Sequence, residues 1–406
     1  MNWKERLIKF LGLQKSMIAL LSMVVLVGLG EKMAERFLPI YMMALGGGIL
    51  AVGFLNSMDN LLSALYSFPG GYLSDKLGHK KALLVFNLIA MFGYLIVIVF
   101  PYWQAVIVGS IFFLSWTAIS LPATMSIVAQ VLPKNKQTMG VSLHSMIRRI
   151  PMALGPLIGG ALIGVYGERE GVRLAFGVAF LLGIVSMVMQ QTLIEEPKQA
   201  TKAEKNPLVL WRSMSPALRK LLVSDILIRF AEQIPYAFVV IWCVKDNHIS
   251  HFDFGILTTV EMVTALIIYL PVAYLADQGN KKPFVVITFF NFAMFPLVLL
   301  FCHSFWALVF AFIVRGLKEF GEATRKSLIL DLAPDNKKAG MFGLYYLIRD
   351  VIVSMAAMGG AYLWAISPMA NLLTASACGL LGTLYFAIWG QDLSTNQEPQ
   401  QLKPLK

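Results

Sequence analysis

Charge is scarce in this chain of 406 residues: Asp, Glu, Lys and Arg together make up 14% of it. A soluble domain carries about 25%. Cysteine is limited to Cys243, Cys302 and Cys378, which form no CxxC pair and no even-numbered set. Neither a disulfide framework nor a thiolate metal site is in view. Walker and Rossmann glycine loops are absent, as is any nucleophile–base constellation. An enzyme is therefore disfavoured, no cofactor is expected, and a gradient or a partner is left as the energy source. What is plentiful is apolar: 57% of the residues are hydrophobic and 12% aromatic. Apolar runs recur from Met17 to Ile388, each near the roughly 20 residues that cross a hydrocarbon core as a helix. Disordered, collagen-like and cytosolic chains are excluded, and the lipid bilayer becomes the expected surroundings. The net charge of +11 comes from bases scattered through short loops, which is not a nucleic-acid footprint. The basic start, Met1 to Ser16, leads directly into the first run without a small-residue cleavage pattern, so an uncleaved first helix is expected.

Twelve spans are expected: about Met17–Met43, Gly48–Phe68, Ala82–Phe100, Ala105–Ala129, Thr138–Tyr166, Val172–Gln190, Leu221–Val244, Phe254–Ala276, Phe284–Phe301, Phe305–Leu332, Met341–Trp364 and Asn371–Ile388. The longest polar stretch falls in the centre. Residues 1–194 and 221–390 are thus expected as two six-helix halves, with 195–220 as a cytoplasmic linker and 391–406 as a disordered cytoplasmic tail. Lys and Arg crowd one side, including Lys4, Lys15, Lys76, Lys80, Lys81, Lys198, Arg212, Lys281 and Lys282, while the other side holds Arg169, Arg173 and Lys245. The positive-inside rule then places both termini in the cytoplasm.

The halves repeat each other. Gly53-Phe-Leu-Asn-Ser-Met-Asp59 answers Gly255-Ile-Leu-Thr-Thr-Val-Glu261, and Pro69-Gly-Gly-Tyr-Leu-Ser-Asp75 answers Pro271-Val-Ala-Tyr-Leu-Ala-Asp277. Trp103 answers Trp306, Pro133 answers Pro334, Gly140 answers Gly340, and Arg148 answers Arg349. Internal duplication of this kind is the pattern of secondary transporters, whose site lies near midplane between the repeats.

After the second span the chain reads Gly70-Gly71-Tyr72-Leu73-Ser74-Asp75-Lys76-Leu77-Gly78-His79-Lys80-Lys81. From Gly71 this closely resembles the signature of the major facilitator superfamily, with Gly71, Leu73, Asp75, Gly78 and Lys80 in place; Lys76 and His79 stand where arginines are usual. The second copy, from Asp277 to Lys282, is degenerate and one residue shorter. The resemblance implies an all-α membrane fold of twelve helices in two pseudo-symmetric halves, with no fixed substrate. It also implies a gating latch built from Gly71, Asp75, Gly78, Lys80 and Asp277. Gly155-Pro156-Leu157-Ile158-Gly159-Gly160 in the fifth span resembles the core of a drug/proton antiporter motif, although plain close packing explains such glycines as well.

Ionisable groups at membrane depth are costly and mark function by default. Nine bases are placed there (Lys32, Arg36, Arg148, Arg149, Arg229, Arg315, Lys318, Arg325, Arg349) and nine acids (Glu31, Glu35, Asp59, Asp225, Glu232, Glu261, Glu319, Glu322, Asp350). The equal totals suggest pairing. Glu31 and Glu35 share one helix face and are candidate proton carriers, whereas Lys32 and Arg36 either join them or face the outer headgroups. Asp59 and Glu261 are repeat mates without a base on their own helix. Asp225 and Arg229 read as a local pair that leaves Glu232 freer. The candidate proton-coupling set is therefore Glu31, Glu35, Asp59, Glu232 and Glu261.

The tenth span carries a polar stripe in which Arg315–Glu319 and Lys318–Glu322 would satisfy themselves at i,i+4. Arginine stays charged and offers a fork suited to carboxylate or phosphate. Arg148, Arg149, Arg315, Lys318, Glu319, Glu322 and Arg349 are therefore the candidate substrate-binding residues. Asp350 points away from Arg349, so acids from the first, second, seventh or eighth span are expected to partner Arg148 and Arg349. His144 reads as a packed histidine. Asp246, His248, His251 and Asp253 cluster in an external loop without zinc-like order, and no metal site is assigned.

The sequence is thus read as a proton-coupled secondary transporter of a small anionic or zwitterionic solute. It is expected as a monomer in a bacterial-type inner membrane. Two alternatives stand beside it. One is a proton-driven exporter of amphiphilic drugs. The other is a non-transporting receptor on a transporter fold, for which no large soluble signalling segment is seen.

Overall fold

The computed structural model describes residues 15–114, 146–193, 211–277, 280–333 and 338–392, together with Trp116, Ser120 and Thr124. Among them there is helix and no strand. The helices are α1 (Lys15–Glu35), α2 (Leu38–Ala44), α3 (Ile49–Leu77), α4 (His79–Val99), α5 (Trp103–Phe113), α6 (Arg149–Leu193), α7 (Pro216–Gln233), α8 (His251–Asp277), α9 (Lys282–Leu300), α10 (Phe305–Leu317), α11 (Glu322–Leu332), α12 (Lys338–Ile366) and α13 (Pro368–Trp389). Among the described residues, eight helical stretches are long and apolar enough to cross a membrane. Counting both arms of the bent α6, and adding α1, α5 and α10, the described residues represent all twelve expected spans.

Local chemistry sets the helix starts. Ser215 and Ser367 each accept a backbone N–H from three residues on, and each is followed by proline at the first helical position. That removes one orphan donor by capping and another by having none. The α6 arms fold back at Gly167 (φ 79°, ψ 169°), and a Cβ on Gly171 would fall 2.5 Å from Ile163 Cα, so the arms meet at glycine.

The apolar surface faces outward, which is the arrangement a bilayer demands. Leu88, Phe92, Leu95 and Val99 line the exposed face of α4, and Leu381, Leu384 and Ile388 that of α13. Charge points inward: Asp225, Glu261 and Arg325 are at most 1% exposed. Across the halves, α3 packs against α12 and the first arm of α6 against α8. Ser57 donates to the Ser354 carbonyl (2.7 Å), Thr259 to that of Ala153 (2.9 Å) and Asn56 Nδ2 to that of Gln233 (3.0 Å). These bonds pin the halves together on the face that carries Gly46 and Gly167.

Four expectations are corrected. The first, seventh and tenth spans are not continuous: the first breaks at Arg36–Phe37, the seventh after Gln233 and the tenth between Leu317 and Glu322. Pro39 cannot donate to the Glu35 carbonyl, which ends the helical ladder there. The expected loop after Phe68 is instead helix through Leu77, and the chain reverses at Gly78 alone (φ 85°, ψ 149°). That backbone region is essentially open to glycine only. Gly78→Ala is therefore expected to cost about 1–3 kcal/mol, read as a fall in the melting temperature of the purified protein; an unchanged melting curve would refute the strained turn.

Candidate functional site

Breaks in three helices converge on one place. After the break that follows Glu35, the chain presents Glu35, Arg36, Leu38 and Pro39. After Gln233, Pro235 turns the seventh span into a tight 3₁₀ segment at Tyr236–Phe238. The tenth span presents Arg315 just before its own break. Together with Asn56 and Asp59 of α3, these residues line an open cavity of about 510 Å³ between the halves. Discontinuous helices are tolerated at membrane depth where they line such a cavity. A second cavity, of about 420 Å³, lies within the N-terminal half, with Glu31, Lys32, Trp116, Ser120, Thr124 and Arg148 in its wall. A smaller one, of about 250 Å³, is bounded by Glu232, Phe292, Phe295, Arg315 and Lys318.

The C-terminal half is threaded by a chain of alternating charge. Arg315 meets Glu261 (3.3 Å), Glu261 meets Lys318 (3.1 Å) and Lys318 meets Glu232 (3.0 Å). Glu232 pairs with Arg229, which lies 3.4 Å from Glu322. Glu322 is held by Arg325 (2.6 Å), and Arg325 also pairs with Asp225. Asp225 then meets Arg349 (3.5 Å), whose Nε donates to Asp350 (2.7 Å). Tyr345 donates its hydroxyl to Asp225 (3.0 Å).

This ladder overturns several expected pairings. Arg229 binds Glu232 rather than Asp225, so Glu232 is not free. Arg315 and Lys318 reach across to α8 and α7 instead of pairing along their own helix. Glu319 crosses the halves to Arg149 (2.9 Å). The break between α10 and α11 interrupts the i,i+4 register on which the local pairs depended. Asp350 does partner Arg349, because the long arginine side chain curls back to its neighbour. Asp225 of the seventh span is its second partner, as expected.

Of the nine acids expected in the membrane, eight form ion pairs among the described residues; of the nine bases, seven do. The three others line the cavities. Asp59 takes a hydrogen bond from Ser63 and forms no ion pair among the described residues, with Lys32 the base near enough to act on it. Arg36 has its Cζ 5.2 Å from the Tyr236 ring centroid and forms no ion pair among the described residues, although Glu261, Glu35 and Glu232 are near enough to act on it. Arg148 forms no ion pair among the described residues but shares the N-terminal cavity with Glu31, a first-span acid close enough to act on it electrostatically; Lys32 lies 3.4 Å from Glu31 and also pairs with Glu35.

Sequence reasoning left Arg36 open to an outer-headgroup position, and it overlooked Tyr236. Pro39 and Pro235 are the signals that mark the breaks placing both in the cavity. Of the residues expected to form a latch, Gly71 lies inside α3 and Gly78 makes the turn that ends it. The Lys80 carbonyl accepts from Gln190 Nε2 (2.7 Å), while Gln190 Oε1 accepts from Asn87, which in turn accepts from Trp116 of the N-terminal cavity. The side chains of Asp75 and Asp277 lie outside the described residues, as do His144, Pro133, Gly140 and Pro334. In the Asp246–Asp253 cluster, His251 Nε2 sits 3.2 Å from Glu168, and Asp253 accepts from Ser250. Gly155 and Gly159 abut Lys32 and Met33 of α1, and Gly160 abuts the His251 carbonyl. The glycine run of the fifth span thus serves close packing.

Residues 20–231 and 221–404 each match the Major Facilitator Superfamily. The chain belongs to this superfamily. It is 21% identical over 366 residues to an uncharacterised MFS-type transporter of Methanocaldococcus jannaschii, a match that covers 88% of this chain and 90% of the relative. It is 25% identical over 189 residues to the quinolone resistance protein NorA of Staphylococcus aureus, covering 47% of each chain. A solved POT family transporter in complex with 5-aminolevulinic acid superposes with a TM-score of 0.77 over 92% of this chain and 96% of its own, at 12% identity, which speaks for a shared fold alone. The protein is a multi-pass membrane transporter of the MFS type.

Proposed function

We propose that this MFS protein is a proton-coupled secondary transporter of a small anionic or zwitterionic organic solute, working by alternating access. The supporting observation is the distribution of charge: among the described residues nearly every ion expected at membrane depth is in an ion pair, and the exceptions, Asp59, Arg36 and Arg148, line cavities. An unpaired ion at that depth is costly unless a proton or a substrate neutralises it. Asp59 is the proton-coupling acid of first choice, with Glu31 and Glu35 beside it; Glu232 and Glu261 are committed to the ladder and take part only if it rearranges. Arg148 and Arg36 attract the substrate's anionic group. Arg149, Arg315, Lys318, Glu319, Glu322 and Arg349 shape the field around them.

In this reading both termini face the cytoplasm of a bacterial-type inner membrane. Residues 1–194 and 221–390 rock about the cavity on the 195–220 linker, ahead of a 391–406 tail, and the protein acts as a monomer. The pinned face is then the extracellular one. Asp75, Gly71, Gly78, Lys80 and Asp277 form the inner latch. Export of amphiphilic drugs is a second reading, favoured by the similarity to NorA and by the apolar wall of Leu38, Val52, Leu55, Val240 and Phe254.

Liposomes with an imposed pH gradient test the proposal. A screen of organic anions, zwitterions and cationic amphiphiles is expected to reveal gradient-dependent flux of a charged small solute. Asp59→Asn is expected to abolish the gradient dependence while leaving the amount of folded protein unchanged. Flux that ignores the gradient in the wild type, or full coupling in the variant, would refute proton coupling through Asp59.

A further inference from the structure

The central cavity presents four charged side chains, and two of them are already neutralised: Glu35 by Lys32, and Arg315 by Glu261. The remaining two are of opposite sign and do not meet each other. Arg36 stands at the α1–α2 break, against the Tyr236 ring. Asp59 stands on α3, hydrogen-bonded to the Ser63 hydroxyl one turn away, with Lys32, Glu31 and Glu35 of α1 acting on it from beyond ion-pair distance. Between them the wall is mostly apolar, from Val52, Leu55, Val239 and Val240. A monoanion entering this space satisfies Arg36 and leaves Asp59; a monocation does the reverse. One ligand satisfies both: a molecule with a carboxylate at one end, an ammonium at the other and hydrocarbon between.

We infer that the cavity lined by Arg36, Asp59 and Tyr236 is a two-pole binding site for an amino-carboxylate zwitterion. Its carboxylate is held by the guanidinium fork of Arg36 and its ammonium by Asp59. The inference rests on the transport reading for its setting but not for its test. It narrows the substrate class, because a solute of single charge leaves one pole uncompensated. The pole spacing selects ligand length: because Arg36 and Asp59 form no ion pair, an ω-amino acid long enough to bridge them is favoured over a shorter one.

Equilibrium binding to the full-length protein in nanodiscs tests this without any gradient. The probes are the straight-chain ω-amino acids from glycine to 8-aminooctanoate, with hexanoate and hexylamine as single-charge controls. Affinity is expected to peak at one chain length and to exceed both controls by about tenfold or more, since a charge-assisted contact is lost in each control. Arg36→Gln is expected to reduce the best zwitterion to the level of hexylamine, and Asp59→Asn to that of hexanoate. Wild-type melting curves for both variants establish that the fold is kept. Controls that bind as well as the best zwitterion would overturn the site, as would the absence of binding at every length or variants that keep the full preference. If the zwitterion binds but is not driven by a pH gradient in liposomes, proton coupling fails and the site stands. If gradient-driven flux is found only for solutes of single charge, transport stands and the site fails.

Discussion

Arg325→Ala is expected to remove most of the folded protein from the membrane. Arg325 is fully buried, donates to both Glu322 oxygens (2.6 and 3.0 Å) and pairs with Asp225. Truncation leaves two buried carboxylates without their shortest partner. Breaking a buried pair from one side costs about 3–5 kcal/mol, because the orphaned charge stays desolvated. The remaining donors do not make up the loss of charge at short range: Asp225 keeps the neutral Tyr345 hydroxyl (3.0 Å) and Arg349 at 3.5 Å, and Glu322 keeps Arg229 at 3.4 Å and Lys326 at 3.5 Å. The expected readouts are a large fall in melting temperature and in monodisperse yield. Arg325→Lys is expected to recover part of it, since one ammonium cannot reproduce a fork that serves two acids. Arg325→Gln combined with Asp225→Asn is expected to be less damaging than the sum of the two single changes, as coupled residues in one network are. Wild-type yield and melting temperature in Arg325→Ala would show that the ladder carries no structural weight.

The architecture was legible because membrane physics writes it into composition. Apolar runs of spanning length and the repeat from Gly53 to Asp59 and from Gly255 to Glu261 survive in the observed helices. The identity of the intramembrane charges was legible for the same reason, since each one is an exception to the surrounding hydrocarbon. Their partners were not. Helical spacing offers Arg315 a neighbour in Glu319 and Arg229 one in Asp225, yet both arginines bind elsewhere, because packed helices bring other carboxylates closer than the local register does. The breaks were also hidden. Hydrophobicity continues through Phe37 and through Phe320, so a periodicity argument sees one long span where the backbone has two pieces. Prolines 39 and 235 carried the missing information, and with them the position of Arg36.

Exchanging a single methyl across the seam between α3 and α12 is expected to stop transport and, when the exchange is completed, to restore it. Gly53 lies where the two helices touch: a Cβ built on it would fall 2.1 Å from Ala361 Cβ, far inside contact distance. Its repeat mate Gly255 holds the corresponding seam between α8 and the first arm of α6, where a Cβ would meet the Pro156 carbonyl and Leu157 Cα, both at 2.7 Å. The two glycines therefore permit the closed face on both sides of the cavity. Gly53→Ala forces the helices apart in that closed state. Overpacking of this kind costs about 1–3 kcal/mol, which shifts a closed–open equilibrium by about 5- to 150-fold.

Flux into liposomes is expected to fall accordingly. A cysteine placed in the cavity wall, Leu55→Cys, should become reactive to an impermeant maleimide from the side of Gly46 and Gly167. The obstructing atom at Gly53 is the Ala361 methyl, while the Ala361 Cα is 3.4 Å away. The double variant Gly53→Ala with Ala361→Gly moves that methyl to the other helix and should regain both flux and protection. Gly359→Ala, on the same helix but with open space around its added methyl, should behave as wild type. If Gly53→Ala transports normally with Leu55→Cys protected, or if Ala361→Gly fails to rescue it, the seam is not the closure that alternating access requires.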